Sequence, residues 1–525
     1  MKKKEKTTFR KIEYRKKESF YLIVRGLEVG IVSGLISSLY RFLLQNAETL
    51  LMKASQFAKG NAVKCVIWFA ALALMGVIVA RIIKWEPMSS GSGIPQVSGE
   101  IKGVLTQNWL KVIAAKLLGG TMSILGGLSL GREGPSIQLG AMAGKGIAKI
   151  TKADKTSELR MISCGGGAGL AAAFNAPLSG VMFILEEIHK TIDRNIICMG
   201  IVACVTADFI SKMFFGQENV FTYETENIPL KNYWLLIVLG IILGIAGCIY
   251  NIVMSKGQDL FKKGKKIPSE VKMTVVFILG GIAAIFIPEI TGGGHAMVTL
   301  LTDKKPAVSI LIFLLLAKFF FSVISFGSGA PGGIFFPLLI LGTYVGAIYA
   351  NVCIAFFNID ENLWQEFVVI SMAGIFASIV RAPLTGIILV FEMTGNLESL
   401  LPLAVVSLIS YAVANLIGVK PIYETLLEKI IAADPQKPEF HDTDEKILKT
   451  YIIPVGSPLR RKTVSSIDWG KHCLIVSIER DDVSITPKGD TILKEGDELI
   501  ILISQRHFSQ DNARLEKIIS GESKE

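Results

Sequence analysis

The chain has 525 residues, 51% of them hydrophobic and only 19% charged, with a mean hydropathy of +0.50. A soluble domain carries about a quarter charged residues, so a single aqueous core is excluded and a bilayer is the solvent this composition requires. The net charge of +10 is concentrated at the start, where Lys2, Lys3, Lys4, Lys6, Arg10, Lys11, Arg15, Lys16 and Lys17 precede the first apolar run. Residues 1–19 therefore read as a cytoplasmic flank under the positive-inside rule. They carry no interleaved stacking platform, so nucleic-acid binding is not expected. No small-residue cleavage site follows, so neither is a cleavable signal peptide.

Apolar runs then succeed one another from about residue 20 to 419, clearest at 63–83, 234–254, 271–287, 307–324 and 400–417. Others are interrupted by Gly and Pro. Residues 124–130 stop at Gly131-Arg132-Glu133-Gly134-Pro135, and 334–349 start after Pro331-Gly332-Gly333. A run too short to cross ~30 Å of hydrocarbon reads as a broken or re-entrant helix, which is tolerated at membrane depth only where protein or water surrounds it. The 50 glycines suit helices that pack backbone to backbone.

The sequence repeats itself. Ala176-Pro177-Leu178-Ser179-Gly180-Val181 recurs as Ala382-Pro383-Leu384-Thr385-Gly386-Ile387, 206 residues on, and each copy runs to an acid, Glu186 and Glu392. Gly131–Pro135 pairs with Gly333-Ile334-Phe335-Phe336-Pro337 at an offset of 202, and Gly91-Ser92-Gly93 with Gly292-Gly293-Gly294 at 201. Three pairs in one order at nearly one offset indicate a duplication, and paired broken helices point to a transporter's binding site.

Past Tyr423 the pattern changes. Residues 431–446 are polar and Pro-containing, a linker. From 447 to 525 the pattern is that of a small α+β domain. Its strand candidates are Tyr451-Ile452-Ile453-Pro454, 473–478 and 498–503. Turns are expected at Asp481-Asp482 and Lys494-Glu495-Gly496-Asp497, and a closing helix at 509–519. The membrane part is then 20–430.

The seven cysteines are scattered without CxxC, and the five histidines form no ligand spacing, so neither disulfides, a metal nor a cofactor is expected. Gly140-Ala141-Met142-Ala143-Gly144-Lys145-Gly146 has the wrong spacing for a phosphate-binding loop, and no Ser/His pair stands out. A membrane enzyme is not expected.

The glycine-rich corners carry the chemistry. A helix N-terminus offers unpaired N–H groups and roughly +0.5 charge, enough to hold an anion weakly, as conduction demands. Gly91–Pro95, Gly131–Pro135 and Gly333–Pro337 are such corners, and Ser92 adds a hydroxyl. A carboxylate at membrane depth is functional by default. Glu133, beside a corner, can act as a tethered anion when ionised and swing away when protonated. Pairing with Arg132 is the competing reading, and it is disfavoured because successive helix residues do not face each other. Of Glu186 and Glu187, one reads as a solvated helix end. Glu187 aligns with Met393 and so belongs to one half only, which suits a proton entry point.

Across GSGIP (Gly91–Pro95), GREGP (Gly131–Pro135), AAFNAPLSG (Ala172–Gly180), GAPGGIFFP (Gly329–Pro337), RAPLTGIILVFEMTG (Arg381–Gly395) and KPIY (Lys420–Tyr423), the chain resembles the CLC chloride channels and proton-coupled chloride exchangers. The resemblance implies an all-α polytopic membrane protein of inverted repeats, acting as a homodimer with one pore per subunit. It implies that Ser92 and Tyr423 hydroxyls and the Ile334 and Phe335 amides bind chloride, that Glu133 is the gating glutamate and Glu187 the internal proton-transfer glutamate. Ser in place of Pro at position 92 implies chloride over nitrate, and Glu187 implies chloride/proton antiport; the alternative is a passive voltage- or proton-gated chloride channel. Gln96 stands where the family frequently has Glu. Gly456–Trp469 and Asp490–Leu502 resemble the TrkA-C regulatory domain, which implies either a small-molecule ligand such as a cyclic dinucleotide or a dimer-stabilising appendage. A multi-pass protein of the cell membrane with both termini cytoplasmic is expected.

Overall fold

The long apolar runs are helices because a bilayer leaves backbone N–H and C=O groups no partner outside their own segment. In the computed structural model the described residues are 2–190, 192–217, 221, 228–263, 267–303, 305–357, 359–433, 446–454, 456–480, 483–504 and 508–520. They form two compact units, Met1–Ala433 and Asp434–Glu525. Residues 434–445, most of the expected linker, lie outside the described residues, as does the Asp481-Asp482 turn.

The first unit opens with α1 (Lys2–Lys59), α2 (Ala62–Trp85), α3 (Ile94–Ile101) and α4 (Trp109–Leu125). α5 (Glu133–Ile150), α6 (Lys155–Phe174), α7 (Pro177–Phe183) and α8 (Arg194–Phe215) complete its first half. The second half follows as α9 (Tyr233–Lys263), α10 (Ser269–Phe286), α11 (His295–Asp303), α12 (Val308–Gly327), α13 (Phe335–Phe357), α14 (Trp364–Val380), α15 (Pro383–Thr394) and α16 (Leu400–Ile417), with α17 (Ile422–Ile431) appended. Each of the first eight helices has its counterpart eight places later, and the packing repeats as well. α1 lies on α8 as α9 lies on α16, and α5 lies on α6 as α13 lies on α14. Where the halves meet, counterparts touch: α2 with α10, α5 with α13 and α7 with α15. That is the pattern a two-fold axis between the halves produces.

Among the described residues, nine helices are long and apolar enough to cross a membrane. Leu, Ile and Phe side chains lie exposed along α1, α2, α9, α10, α12 and α16, which in water would be one large aggregation surface and in lipid is the expected outer wall. α14 is different: nearly all of it is sheathed by protein. The eight residues of α3 and the seven of α7 span only about 10–12 Å, so these are half-helices. The run after Gly333, expected to be short, is a full helix of 23 residues; only its entry is irregular. The close α5–α6 pairing depends on small residues, because a methyl group on Gly140 would collide with the carbonyl oxygen of Gly165.

The second unit is a four-stranded antiparallel sheet, β1 (Lys446–Ile452), β2 (Cys473–Arg480), β3 (Val483–Ile485) and β4 (Glu498–Ser504), in the order β1-β4-β2-β3, with α18 (Phe508–Ser520). Leu515 and Ile519 of α18 join Ile478, Leu499, Ile501 and Ile503 in one core. The first strand ends two residues before Pro454, which has no N–H to give the ladder. β3 was not expected.

Candidate ion pathway

Three glycine corners that are distant in sequence are laced together by backbone hydrogen bonds. Gly131 N donates to Gly333 O (2.7 Å) and Gly333 N to Gly131 O (2.8 Å), so the equivalent residues of the two halves pair as an antiparallel bridge. Gly332 N donates to Gly91 O (3.1 Å) and Gly91 N to Gly329 O (3.3 Å), tying in the third corner. Gly91 and Gly93 both adopt left-handed φ (62° and 95°), which turns the chain sharply into α3 with Pro95 in its first turn.

These bonds bring together the corners that carry Ser92, Glu133, Ile334 and Phe335. Glu133 is the first residue of α5 and is only 1% exposed. Its carboxylate lies against its own backbone N–H and that of Phe336, at the start of α13. Gly134 packs directly on Ser92 Oγ. Ile334 and Phe335, both buried, open α13, and Phe335 sits among Phe174, Phe183 and Phe376 at ring distances of 5.4, 6.3 and 4.8 Å. Tyr423 enters at the start of α17, within electrostatic reach of both Glu187 and Glu133. Its approach is fixed by Asn251 Nδ2, which donates to Ile379 O (3.0 Å) and Lys420 O (3.2 Å), and by Arg381 Nη2, which donates to Ala414 O (2.7 Å) and Val419 O (2.9 Å).

Ser92 Oγ, Tyr423 OH and Glu133 Oε2 are buried and have no hydrogen-bond partner among the described residues. An unpaired buried polar atom costs roughly 1–3 kcal/mol. The Ser92 and Tyr423 hydroxyls are donors of the kind a small anion accepts, and Glu133 is a buried carboxylate at the entry of α5.

Two sequence readings are corrected. Arg132 and Glu133 do approach each other, Nε to Oε1 at 3.7 Å. Arg132 is the residue that caps α5 rather than one within it, so the helical spacing argument does not apply. Glu186 is not a solvated helix end. Its carboxylate accepts from Leu384 N (3.1 Å), Thr385 N (2.7 Å) and Thr385 Oγ1 (2.8 Å), capping α15. Glu392 answers from the other half, accepting from Leu178 N (2.9 Å), Ser179 N (2.8 Å) and Ser179 Oγ (2.6 Å) at the start of α7. Glu187 lies buried on the π-turn Ile184–His189 that prolongs α7, near the ion pair of Lys190 and Glu424. The sequence reading also missed Tyr250, whose buried hydroxyl has no hydrogen-bond partner among the described residues, and the buried Lys116, which stood in an apolar run.

Paired half-helices meeting inside a lipid-facing bundle, with buried donors at their junction, define a multi-pass integral membrane transporter. The chain belongs to the voltage gated chloride channel family, whose model matches residues 71–415. The TrkA-C domain model matches residues 448–510. The chain is 32% identical over 430 residues to the H(+)/Cl(-) exchange transporter ClcA of Vibrio campbellii, covering 79% of this chain and 91% of that one. ClcA of Yersinia pestis is 31% identical over 439 residues, 81% of this chain and 91% of the relative. Among solved structures, a slow cyanobacterial Cl-/H+ antiporter aligns with a TM-score of 0.73 at 33% identity, covering 78% of this chain and 98% of that one.

Proposed function

We propose that this protein exchanges chloride for protons across the cell membrane. The reading is supported by Ser92 Oγ packing on Gly134 beside Glu133, whose carboxylate lies against the Phe336 N–H, and by the buried Tyr423 hydroxyl within electrostatic reach of Glu133. Ser92, Tyr423 and the Ile334 and Phe335 amides bind chloride. Glu133 competes with it when ionised and opens the path when protonated. Glu187, buried and within electrostatic reach of Tyr423, passes protons to and from the cytoplasm. A channel of the same fold would not need this second buried acid.

The protein works as a homodimer with both termini cytoplasmic, each subunit having its own path, and its activity is transport rather than catalysis. The segments 1–19, 20–430, 431–446 and 447–525 are its basic flank, membrane domain, linker and regulatory domain. The last of these takes a small ligand, for which a cyclic dinucleotide is the first candidate. Calorimetry on the full chain tests that assignment, and no heat with any nucleotide would leave it a dimer-stabilising appendage.

In proteoliposomes an imposed chloride gradient drives protons uphill. Glu133→Ala abolishes that coupling, and Glu187→Gln stops the proton flux while chloride still moves. If the wild type never moves protons with the chloride gradient, the exchanger reading is wrong.

A further inference from the structure

Anion sites tolerate N–H and O–H donors but not carbonyl oxygens, and the loop that carries Ser92 exposes several carbonyls in four residues. Those of residues 89 to 91 are led away. Lys116 of α4, 0% exposed, donates from Nζ to Ser89 O (2.8 Å) and Gly91 O (2.7 Å). Gln96 Nε2 takes Ser90 O (2.8 Å), and Gly332 N shares Gly91 O (3.1 Å). The second half repeats the device. Lys318 of α12, also 0% exposed and 202 residues after Lys116, donates to Ile290 O (3.0 Å) and Gly292 O (2.9 Å). The glycines around it are left-handed like their counterparts, Gly292 at 57° and Gly294 at 104°. Within the Gly-x-Gly triplets only the middle residue differs: Ser92 in the first loop and Gly293, without a side chain, in the second.

We propose that Lys116 is a positioning residue of the chloride site: by drawing the Ser89 and Gly91 carbonyls onto its amine it keeps acceptor oxygens out of the path and holds the Ser92 hydroxyl toward the anion. Lys318 is the same clamp on a loop that brings no hydroxyl to the site. The pair therefore contains its own control, because both variants lose equivalent buried bonds and only one holds a ligand. This inference rests on the transport reading above.

The test is chloride titration calorimetry on the full chain in detergent, with chloride and nitrate fluxes in proteoliposomes, for wild type, Lys116→Met and Lys318→Met. Lys116→Met binds chloride roughly tenfold more weakly and loses its preference for chloride over nitrate, whereas Lys318→Met stays within about twofold of wild type. A variant of low stability is read by the chloride-dependent shift of its own melting temperature, which is lost for Lys116→Met and kept for Lys318→Met. Wild-type chloride affinity in Lys116→Met, or an equal loss in both variants, overturns the clamp. A wild type that binds and moves no chloride overturns the transport reading itself.

Discussion

The exchange of caps between the halves gives a sharp prediction. Glu392→Ala removes three hydrogen bonds at once, two of them from backbone N–H groups at the start of α7. A hydrogen bond to a charged group is worth about 1.5–3 kcal/mol and an N-cap about 0.5–2 kcal/mol. Leu178, whose N–H is one of the donors, is half exposed, so solvent replaces part of the loss. The expected destabilisation is about 2–3 kcal/mol, and about 1 kcal/mol for Glu392→Gln, which keeps one acceptor oxygen. Glu186→Ala costs a similar amount, since its three bonds to Leu384 and Thr385 have the same form. The two caps lie at opposite ends of the α7–α15 pair, so the double variant loses their sum. Unfolding midpoints in mixed micelles, compared with wild type in the same micelle, measure this. An Ala variant within about 0.5 kcal/mol of wild type, or Gln as damaging as Ala, refutes the capping argument.

Three further predictions follow from single contacts. Ser92→Ala removes one buried hydroxyl and weakens chloride binding by roughly fivefold to tenfold in calorimetry, with the fold retained. Gly140→Ala drives a methyl into the Gly165 carbonyl and costs about 1–3 kcal/mol of overpacking, read as a lowered melting temperature of the full chain. Asp497, fully buried, accepts from Arg480 Nε and Nη2 (both 2.7 Å) and from Lys494 N (2.8 Å). Asp497→Ala exposes the C-terminal unit to limited proteolysis while leaving the membrane unit protected.

The duplication was legible because Gly and Pro mark backbone conformations that few other residues adopt, so Gly91, Gly131 and Pro177 announce their counterparts at nearly constant spacing. The residues around the pathway were legible for the same reason, since they flank those marks. Other features were hidden. A lysine inside an apolar run gives no hint of the two carbonyls that receive it, although the spacing of Lys116 and Lys318 matches that of the glycine corners. Glu186 looked like a helix end because its partners, Leu384 and Thr385, lie nearly 200 residues away. The π-turn under Glu187 leaves no periodic trace in six residues, and the three-residue β3 is too short for alternation to register.

The bridge between Gly131 and Gly333 also has a consequence for biosynthesis. Glu133 emerges from the ribosome about 200 residues before Phe336, whose N–H it lies against. At roughly 5–20 residues per second, some 10–40 seconds pass with Glu133 synthesised and the N–H it lies against not yet made. During that interval the first eight helices hold a carboxylate at membrane depth beside an unfinished corner. The contacts that Glu133 makes with α13 can form only once the second half has been synthesised.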